Sequence, residues 1–200
     1  MLSVRRAPAW FLFLLGLTFV NGSGADAPKQ AAKAKRDAVL APITDTAGLP
    51  RVLLIGDSIS MGYTLKVREL LAGKANVHRP RENSADSANG LRKLDTWLGA
   101  GKWDVIHFNF GLHDLKYVDD KGALTAVERG KVVATVEQYE KNLRELVARL
   151  KPTGAKLIAV TTTPVPAKSN GRQEGSEAAY NAAVARVAQE TGILVNDVHA

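Results

Sequence analysis

The chain has 200 residues, of which 46% are hydrophobic and 24% are charged, proportions that exclude collagen-like, low-complexity and intrinsically disordered classes. It contains no Cys, which also excludes a disulfide framework, a thiolate nucleophile and a Cys-ligated zinc site. The formal net charge is +7, but there is no clustered basic face with stacking aromatic residues, so we expect no nucleic-acid partner.

The first 25 residues have the pattern of a secretory signal peptide. Arg5 and Arg6 precede an apolar run over residues 9–20, and small residues follow over 22–25. The apolar run is shorter than the ~20 residues that a membrane-spanning helix needs. We therefore expect cleavage after this stretch rather than a retained membrane anchor. The prediction is a signal peptide over residues 1–25 and a secreted or periplasmic protein that has no stable membrane insertion after cleavage.

The next compositional unit, residues 26–50, is rich in Ala and Lys. Lys29, Lys33 and Lys35 carry part of the positive charge of the chain. Such a composition is typical of a solvated linker, so this unit is predicted to be a polar tether that precedes the folded domain.

From residue 51 onward, short apolar runs alternate with longer amphipathic segments, which is typical of a parallel sheet covered by helices. Strands are predicted over residues 51–56, 75–78, 103–111, 155–162 and 193–198. Helices are predicted over residues 64–72, 90–98 and 176–190, and a further one carries an apolar stripe from Val136 to Leu150. We expect a flavodoxin-like three-layer α/β/α domain over 51–200. Its strand order is 2-1-3-4-5, and its last helix is missing, so that it is C-terminally incomplete.

Polar residues follow the first and third predicted strands, at the edge of the sheet where ligands bind in doubly wound folds. Asp57 and Ser58 come after the first strand, and His113 and Asp114 come after the third. Ser58 is the candidate nucleophile, because Gly56 permits a tight turn and the following helix start favours developing negative charge. The alternative is that Ser58 only caps that helix.

These motifs resemble the conserved blocks of the SGNH or GDSL-type serine hydrolases. Gly-Asp-Ser-Ile-Ser at residues 56–60 is similar to the first block, and Gly-Leu-His-Asp at residues 111–114 is similar to the third, which is usually Gly-x-Asn-Asp. The resemblance implies that Ser58 is the nucleophile. It also implies that His113, in place of the usual Asn, donates a hydrogen bond to the oxyanion.

The same resemblance extends to a second block and to supporting residues. Ala85 lies where that block places a Gly whose N–H binds the oxyanion, and an Ala N–H can do the same if the turn can be made. Asp57 is expected to orient the turn or cap the next helix. Asp114 is expected to hold backbone groups or His113 in place.

The general base of the family comes from an Asp-x-x-His block after the fifth strand. Asp197 and His199 are one residue too close together for that block, and we interpret them as the end of the strand. The resemblance therefore implies a base beyond residue 200 and a nearly inactive 200-residue chain. If this expectation fails, His199 becomes the candidate base.

The implied function is that of a secreted serine esterase that hydrolyses short-chain acyl esters through an acyl-serine intermediate. Polar loops over residues 116–131 and 164–175 favour a small or carbohydrate substrate such as an O-acetylated sugar. No metal or other cofactor is expected, since no His pair or carboxylate cluster has ligand spacing. The alternative is a non-catalytic flavodoxin-like binding module or an inactive pseudo-enzyme. The sequence carries no indication of the oligomeric state.

Overall fold

A parallel sheet forms the centre of the molecule, whose computed structural model describes residues 26–199. The strands within these residues are β1 (Arg51–Ile55), β2 (Asn76–His78), β3 (Val105–Asn109), β4 (Tyr117–Val118), β5 (Lys131–Val132), β6 (Lys156–Val160) and β7 (Leu194–Asn196). Five of them pair in parallel in the order β2-β1-β3-β6-β7, whereas β4 and β5 form a separate antiparallel pair. Counted along this sheet alone, the order is the predicted 2-1-3-4-5. The predicted α/β fold is confirmed.

Helices cover both faces of the sheet and complete the three layers. They are α1 (Asp26–Leu40), α2 (Ser58–Leu70), α3 (Ser87–Leu98), α4 (Val136–Leu150) and α5 (Glu177–Thr191), with short 3₁₀ turns at Val127–Arg129 and Lys151–Thr153. Helices α3, α4 and α5 pack on one face against strand side chains such as Ile55 and Phe108. Helix α2 lies against the other face, which Leu54 and His107 line, because successive strand residues point to opposite sides.

The sequence explains why the central strands and the longest amphipathic helix form. Strand β1 is a continuous apolar run after Arg51, and its last three residues are buried, as expected for a strand covered on both faces. Helix α4 begins after Thr135, whose side chain accepts a hydrogen bond from the Gln138 N–H. The predicted apolar stripe of α4 is buried from Tyr139 to Leu150, whereas Val136 at its start is half-buried.

The segment over residues 26–50, predicted to be a polar tether, is partly helical. Its first part is helix α1, since Ala and Lys are strong helix formers and Lys33 pairs with Asp37 one turn later. Val39, near the end of α1, is buried. Arg68 of α2 donates hydrogen bonds to backbone carbonyls on both sides of this point. The C-terminal part of the segment is therefore attached to the domain.

The polar loop predicted over 116–131 contains the β4–β5 hairpin, in which Tyr117 pairs with Val132. The Tyr117 N–H also donates a hydrogen bond to the Gly171 carbonyl. The two polar loops predicted over residues 116–131 and 164–175 are therefore joined to each other.

An apolar groove lies beside α2 on its face of the sheet, lined by Val52, Tyr63, Val67 and Val198 among others. At the adjacent edge, Leu194 of β7 is 47% exposed. No described helix follows β7.

The predicted signal peptide over residues 1–25 lies outside the described residues. Among the helices within residues 26–199, we find none whose length and apolar character would suffice to cross a bilayer.

Candidate active site

The candidate nucleophile lies at the first turn of α2. Asp57 is the N-cap of this helix, and its carboxylate accepts a hydrogen bond of 2.9 Å from the Ile59 N–H. Ser58 follows as the first helical residue and is exposed, whereas Asp57 is buried. The alternative in which Ser58 serves as the cap is wrong, because Asp57 occupies that position. The Ser58 hydroxyl therefore stands at the positive end of the helix dipole without being needed to cap it.

Gly56 connects this turn to the second sequence block. A Cβ atom at Gly56 would lie 2.8 Å from the Ser60 Cβ, so only glycine fits there. The Gly56 N–H donates to the Ser84 Oγ at 3.1 Å, and the Ser84 N–H donates to the Gly56 carbonyl at 3.2 Å. Ala85 follows Ser84, so this exchange holds Ala85 beside the nucleophile turn, as we call residues 56–58.

Ala85 adopts an unusual backbone conformation, with φ of 54° in the left-handed region. A residue with a Cβ is strained there by about 1–2 kcal/mol, so the position favours Gly, in keeping with its alignment to the Gly of the second block. In the described conformation, the Ala85 N–H donates to the Asn83 Oδ1 at 2.9 Å. That N–H can bind an oxyanion only after the Asn83 side chain moves away.

His113 lies on the same edge of the sheet as Asp57, because β1 and β3 are adjacent parallel strands. Its Nε2 is 3.9 Å from the Asp57 Oδ2, and its Nδ1 is 3.3 Å from the Lys116 Nζ. Burial lowers the pKa of His113, and although the Asp57 carboxylate opposes this, the shift is downward overall. The structure therefore brings a half-buried imidazole to the predicted nucleophile turn.

Asp114 is fully buried and joins the third block to the second. Its carboxylate accepts hydrogen bonds from the Ser87 N–H at 3.0 Å and from the Ser87 hydroxyl. Asn142 of α4 donates to the same hydroxyl at 2.9 Å. Burial raises the pKa of Asp114 to about 7, and the hydrogen bonds from Ser87 oppose that shift. Asp114 thus holds backbone at the start of α3, one of its two predicted roles, and the described contacts of its carboxylate do not include His113.

Comparison with known proteins identifies the family. Residues 54–200 match the model of the GDSL-like Lipase/Acylhydrolase family. The chain belongs to this family. The resemblance seen in the sequence is thereby confirmed, and the molecule is grouped with acylhydrolases. No curated protein matches the sequence significantly.

Solved structures show the same acylhydrolase fold. An acetyl xylan esterase, AlAXEase, superposes with a TM-score of 0.61 at 15% identity, covering 74% of this chain and 77% of that one. The acetylxylan esterase Axe2 from Geobacillus stearothermophilus gives 0.58 at 19% identity, with coverages of 75% and 76%. A lipase/acylhydrolase from Enterococcus faecalis gives 0.59 at 17% identity, with coverages of 76% and 77%. At these identities the likeness concerns the fold alone.

One residue of this acylhydrolase site was missed by the sequence analysis. Arg79, just after β2, is buried, and its guanidinium donates to the Gly56 carbonyl at 3.1 Å, the Ser60 Oγ at 3.2 Å and the Thr64 Oγ1 at 2.9 Å. Burial lowers the pKa of Arg79 to about 10. Arg79 therefore ties the end of β1 to the first two turns of α2. No spacing in the sequence marks it, because its partners are backbone and hydroxyl groups.

The two candidate base residues near the C-terminus have their described contacts away from Ser58. Asp197 and His199 follow β7, which is separated from β1 by β3 and β6. Asp197 accepts a hydrogen bond from the Thr161 Oγ1 at 2.7 Å. The His199 Nε2 is 3.4 Å from the Glu177 Oε1. These two residues contact the end of β6 and the start of α5 instead.

The arrangement suits chemistry in which a hydroxyl attacks and a nearby donor stabilises negative charge. The exposed hydroxyl of Ser58 and the half-buried imidazole of His113 are the groups available for these two parts. Within residues 26–199, no group of three or more His, Asp or Glu side chains is placed to hold a metal ion.

Proposed function

We propose that this protein is a secreted serine esterase that hydrolyses short-chain acyl esters through an acyl-enzyme formed on Ser58. The observation that carries the proposal is the position of Ser58, exposed at the start of α2 beside a turn whose Asp57 carboxylate lies 3.9 Å from the His113 imidazole. A nucleophilic hydroxyl and a donor for the oxyanion then share one cleft.

In the first half of the proposed reaction, the Ser58 Oγ forms a bond to the ester carbonyl carbon. The carbonyl oxygen becomes an oxyanion, which accepts hydrogen bonds from the Ser58 N–H and the His113 Nε2–H. Ala85 adds its N–H once Asn83 has released it. The tetrahedral intermediate collapses, and the alcohol leaves with the proton lost by Ser58. Water then attacks the acyl-serine, releasing the carboxylic acid and restoring the hydroxyl.

Among the described residues, no side chain is evidently placed to remove the proton from Ser58. His78 pairs with Asp45, His199 contacts Glu177, and His107 lies inside β3 with its Nε2 3.2 Å from the Asn196 Nδ2. The fourth histidine, His113, has a cation rather than a carboxylate at Nδ1, so an imidazolium formed there would be destabilised. With no base among the described residues 26–199, we expect only the residual rate of about 10³–10⁴ over water that binding and an oxyanion hole provide.

The proposed substrate is a short acyl ester, including the O-acetyl esters of carbohydrates. Two of the similar structures are described as acetyl xylan esterases. Asp119 and Asp120 of the β4–β5 loop and Lys168 and Gln173 of the loop before α5 are polar, and they suit a hydrated substrate better than a long acyl chain. Secretion is proposed from the signal-peptide pattern over residues 1–25.

The nucleophile can be tested with a fluorophosphonate probe, which reacts covalently with activated serine hydroxyls. We expect slow labelling of the Ser58 peptide in the wild-type chain, as follows from the missing base, and its complete loss in S58A. The control is S60A, two residues away, where the buried hydroxyl donates to the Asp57 carbonyl. Labelling of Ser58 should persist in S60A, although more slowly than in wild type because Arg79 loses one of its partners. Labelling that persists in S58A would overturn the assignment.

The second candidate is a binding module or inactive pseudo-enzyme with the same fold. Two observations favour it: the Ala85 N–H is engaged by Asn83, and none of the four histidines is placed as a base. A binding module would retain an acetylated oligosaccharide unchanged. An esterase would release acetate from it in a Ser58-dependent manner, and would prefer it to long-chain p-nitrophenyl esters.

A further inference from the structure

Lys116 makes an unusual contact with the imidazole of His113. The Lys116 Nζ is 3.3 Å from the His113 Nδ1. An ammonium group has only donors, so the Nδ1 must be the acceptor. In a neutral imidazole one nitrogen carries the proton while the other accepts, and therefore the proton of His113 belongs on Nε2.

The nitrogen that keeps the proton is the one on the side of the nucleophile turn. The His113 Nε2 is 3.9 Å from the Asp57 carboxylate, next to Ser58. An Nε2–H can donate to an oxyanion formed at Ser58. The opposite tautomer would present a lone pair to the same oxyanion and would repel it. The usefulness of a histidine in place of the family's Asn therefore depends on its tautomer.

The charges around His113 keep the ring neutral. Lys116 lies on the same loop, and Arg172, whose Nε donates to the Leu112 carbonyl at 2.9 Å, approaches from the loop before α5. Asp57 at the start of α2 and Asp86 before α3 supply the opposing negative charge. Burial and the two cations outweigh the two carboxylates, so the pKa of His113 lies below its ordinary value.

The Lys116 ammonium can contact the His113 Nδ1 because it forms no described ion pair with a carboxylate. Among the described residues no Asp or Glu oxygen lies within the 4.0 Å that defines an ion pair with it. By contrast, Lys131 on the nearby hairpin pairs with Asp120. The Lys116 side chain is half-buried against the site, whereas that of Lys131 is 85% exposed.

We propose that Lys116 is a positioning residue, which fixes His113 as a neutral imidazole with its proton on Nε2 and so makes it an oxyanion donor. The tautomer of His113 follows from its contact with Lys116, whereas its role as an oxyanion donor rests on the proposed function. The contact also explains why His113 is a donor rather than the base, since a catalytic base needs a carboxylate, not a cation, behind its Nδ1.

The first test is nitrogen NMR of the four imidazoles in the ¹⁵N-labelled chain, with the His113 signals assigned from H113N. We expect the wild type at neutral pH to show the Nε2–H tautomer and a pKa below the ordinary value. K116M should show a mixture of tautomers and a higher His113 pKa. K116R should retain the wild-type tautomer, and the control K131M should leave both properties unchanged. An Nδ1–H tautomer in the wild type, or identical spectra for wild type and K116M, overturns the proposal.

The second test measures the rate of Ser58 labelling by a neutral fluorophosphonate. H113A removes a whole oxyanion donor and should slow labelling about 10²-fold or more. K116M should slow it by a much smaller factor than H113A, set by the fraction of His113 that leaves the Nε2–H tautomer in the NMR measurement. If the NMR result holds but labelling is not Ser58-dependent, the proposed function fails and the tautomer assignment stands. If labelling is Ser58-dependent but K116M changes neither rate nor tautomer, only the role of Lys116 fails.

Discussion

Gly56 and Ser84 exchange two hydrogen bonds: the Gly56 N–H donates to the Ser84 Oγ, and the Ser84 N–H donates to the Gly56 carbonyl. Through this exchange, the turn that carries Ser58 and the loop that carries Ala85 become one rigid unit. Both groups are buried. The position of the proposed nucleophile, Ser58, relative to the second block is therefore set by the Ser84 hydroxyl, which has no part in the proposed reaction.

Replacing Ser84 by Ala should lower the free energy of unfolding by about 1–3 kcal/mol, because the buried Gly56 N–H loses its acceptor. Urea unfolding followed by circular dichroism measures the change. S176A is the control, since the Ser176 hydroxyl makes an exposed hydrogen bond to the Gln173 carbonyl; it should cost under about 0.5 kcal/mol. Equal stability of S84A and wild type would show that the exchange is not needed.

Replacing Arg79 by Met should slow labelling of Ser58 and reduce stability, because the Gly56 carbonyl and two hydroxyls of α2 lose a shared donor. Arg68→Met is a matched control. Arg68 also donates to three backbone carbonyls, those of Val77, Ala38 and Ala41, but from the last turn of α2. We expect R68M to lose stability while its folded fraction labels at the wild-type rate. Equal labelling of the folded fractions of R79M and R68M would argue against a positioning role.

The buried Asp114 should make stability fall as the pH rises from about 4 to about 7. Its pKa is raised from 3.8 to about 7 in the folded protein, so over this interval the folded state keeps a proton that the unfolded state has lost. The stabilising contribution is complete below pH 4 and is lost as Asp114 ionises.

The variant D114N should flatten this part of the stability profile. Urea unfolding at about pH 5 and about pH 7.5 measures the change, and the difference between the two should be smaller in D114N than in wild type. The control is D120N, since the Asp120 side chain is 91% exposed; its profile should match that of the wild type. An unchanged pH dependence in D114N would mean that Asp114 titrates normally.

Replacing Ala85 by Gly should stabilise the protein by about 0.5–1 kcal/mol, because the left-handed conformation at this position strains any residue that has a Cβ. The control is A185G at an exposed position inside α5, which should instead cost about 1 kcal/mol. Thermal unfolding of the three proteins gives the comparison. Similar losses in A85G and A185G would indicate that Ala85 carries no strain.

The parts of the fold that follow from periodicity could be predicted from the sequence, and those that depend on tertiary partners could not. The apolar run of β1 predicts a strand directly, and the apolar stripe of α4 predicts a helix. The start of α2 was placed at Thr64, six residues late, because the helix begins at the polar and small residues of the nucleophile turn, whose cap is Asp57. Strands β4 and β5 are two residues long, too short for any periodic pattern.

The residues of the candidate site likewise fall into those that the sequence predicts and those that depend on tertiary contacts. Ser58 and His113 could be found because they follow adjacent apolar strands, and the topology then brings them together. The contact that gives Lys116 its proposed role depends on side-chain positions that no spacing encodes. Arg79 was missed because a buried arginine paired with hydroxyls and a carbonyl has no signature in the chain. The engagement of the Ala85 N–H by Asn83 is likewise visible only in three dimensions.

Hydrogen bonds run from Asp114 through Ser87 and Asn142 to Gln138, and so connect the candidate site to the first two turns of α4. A random mutagenesis screen for altered catalysis should therefore recover changes at Asn142, although that residue never approaches a substrate. Such substitutions would lie on α4, and without knowledge of these hydrogen bonds they would be mistaken for evidence of a remote regulatory site.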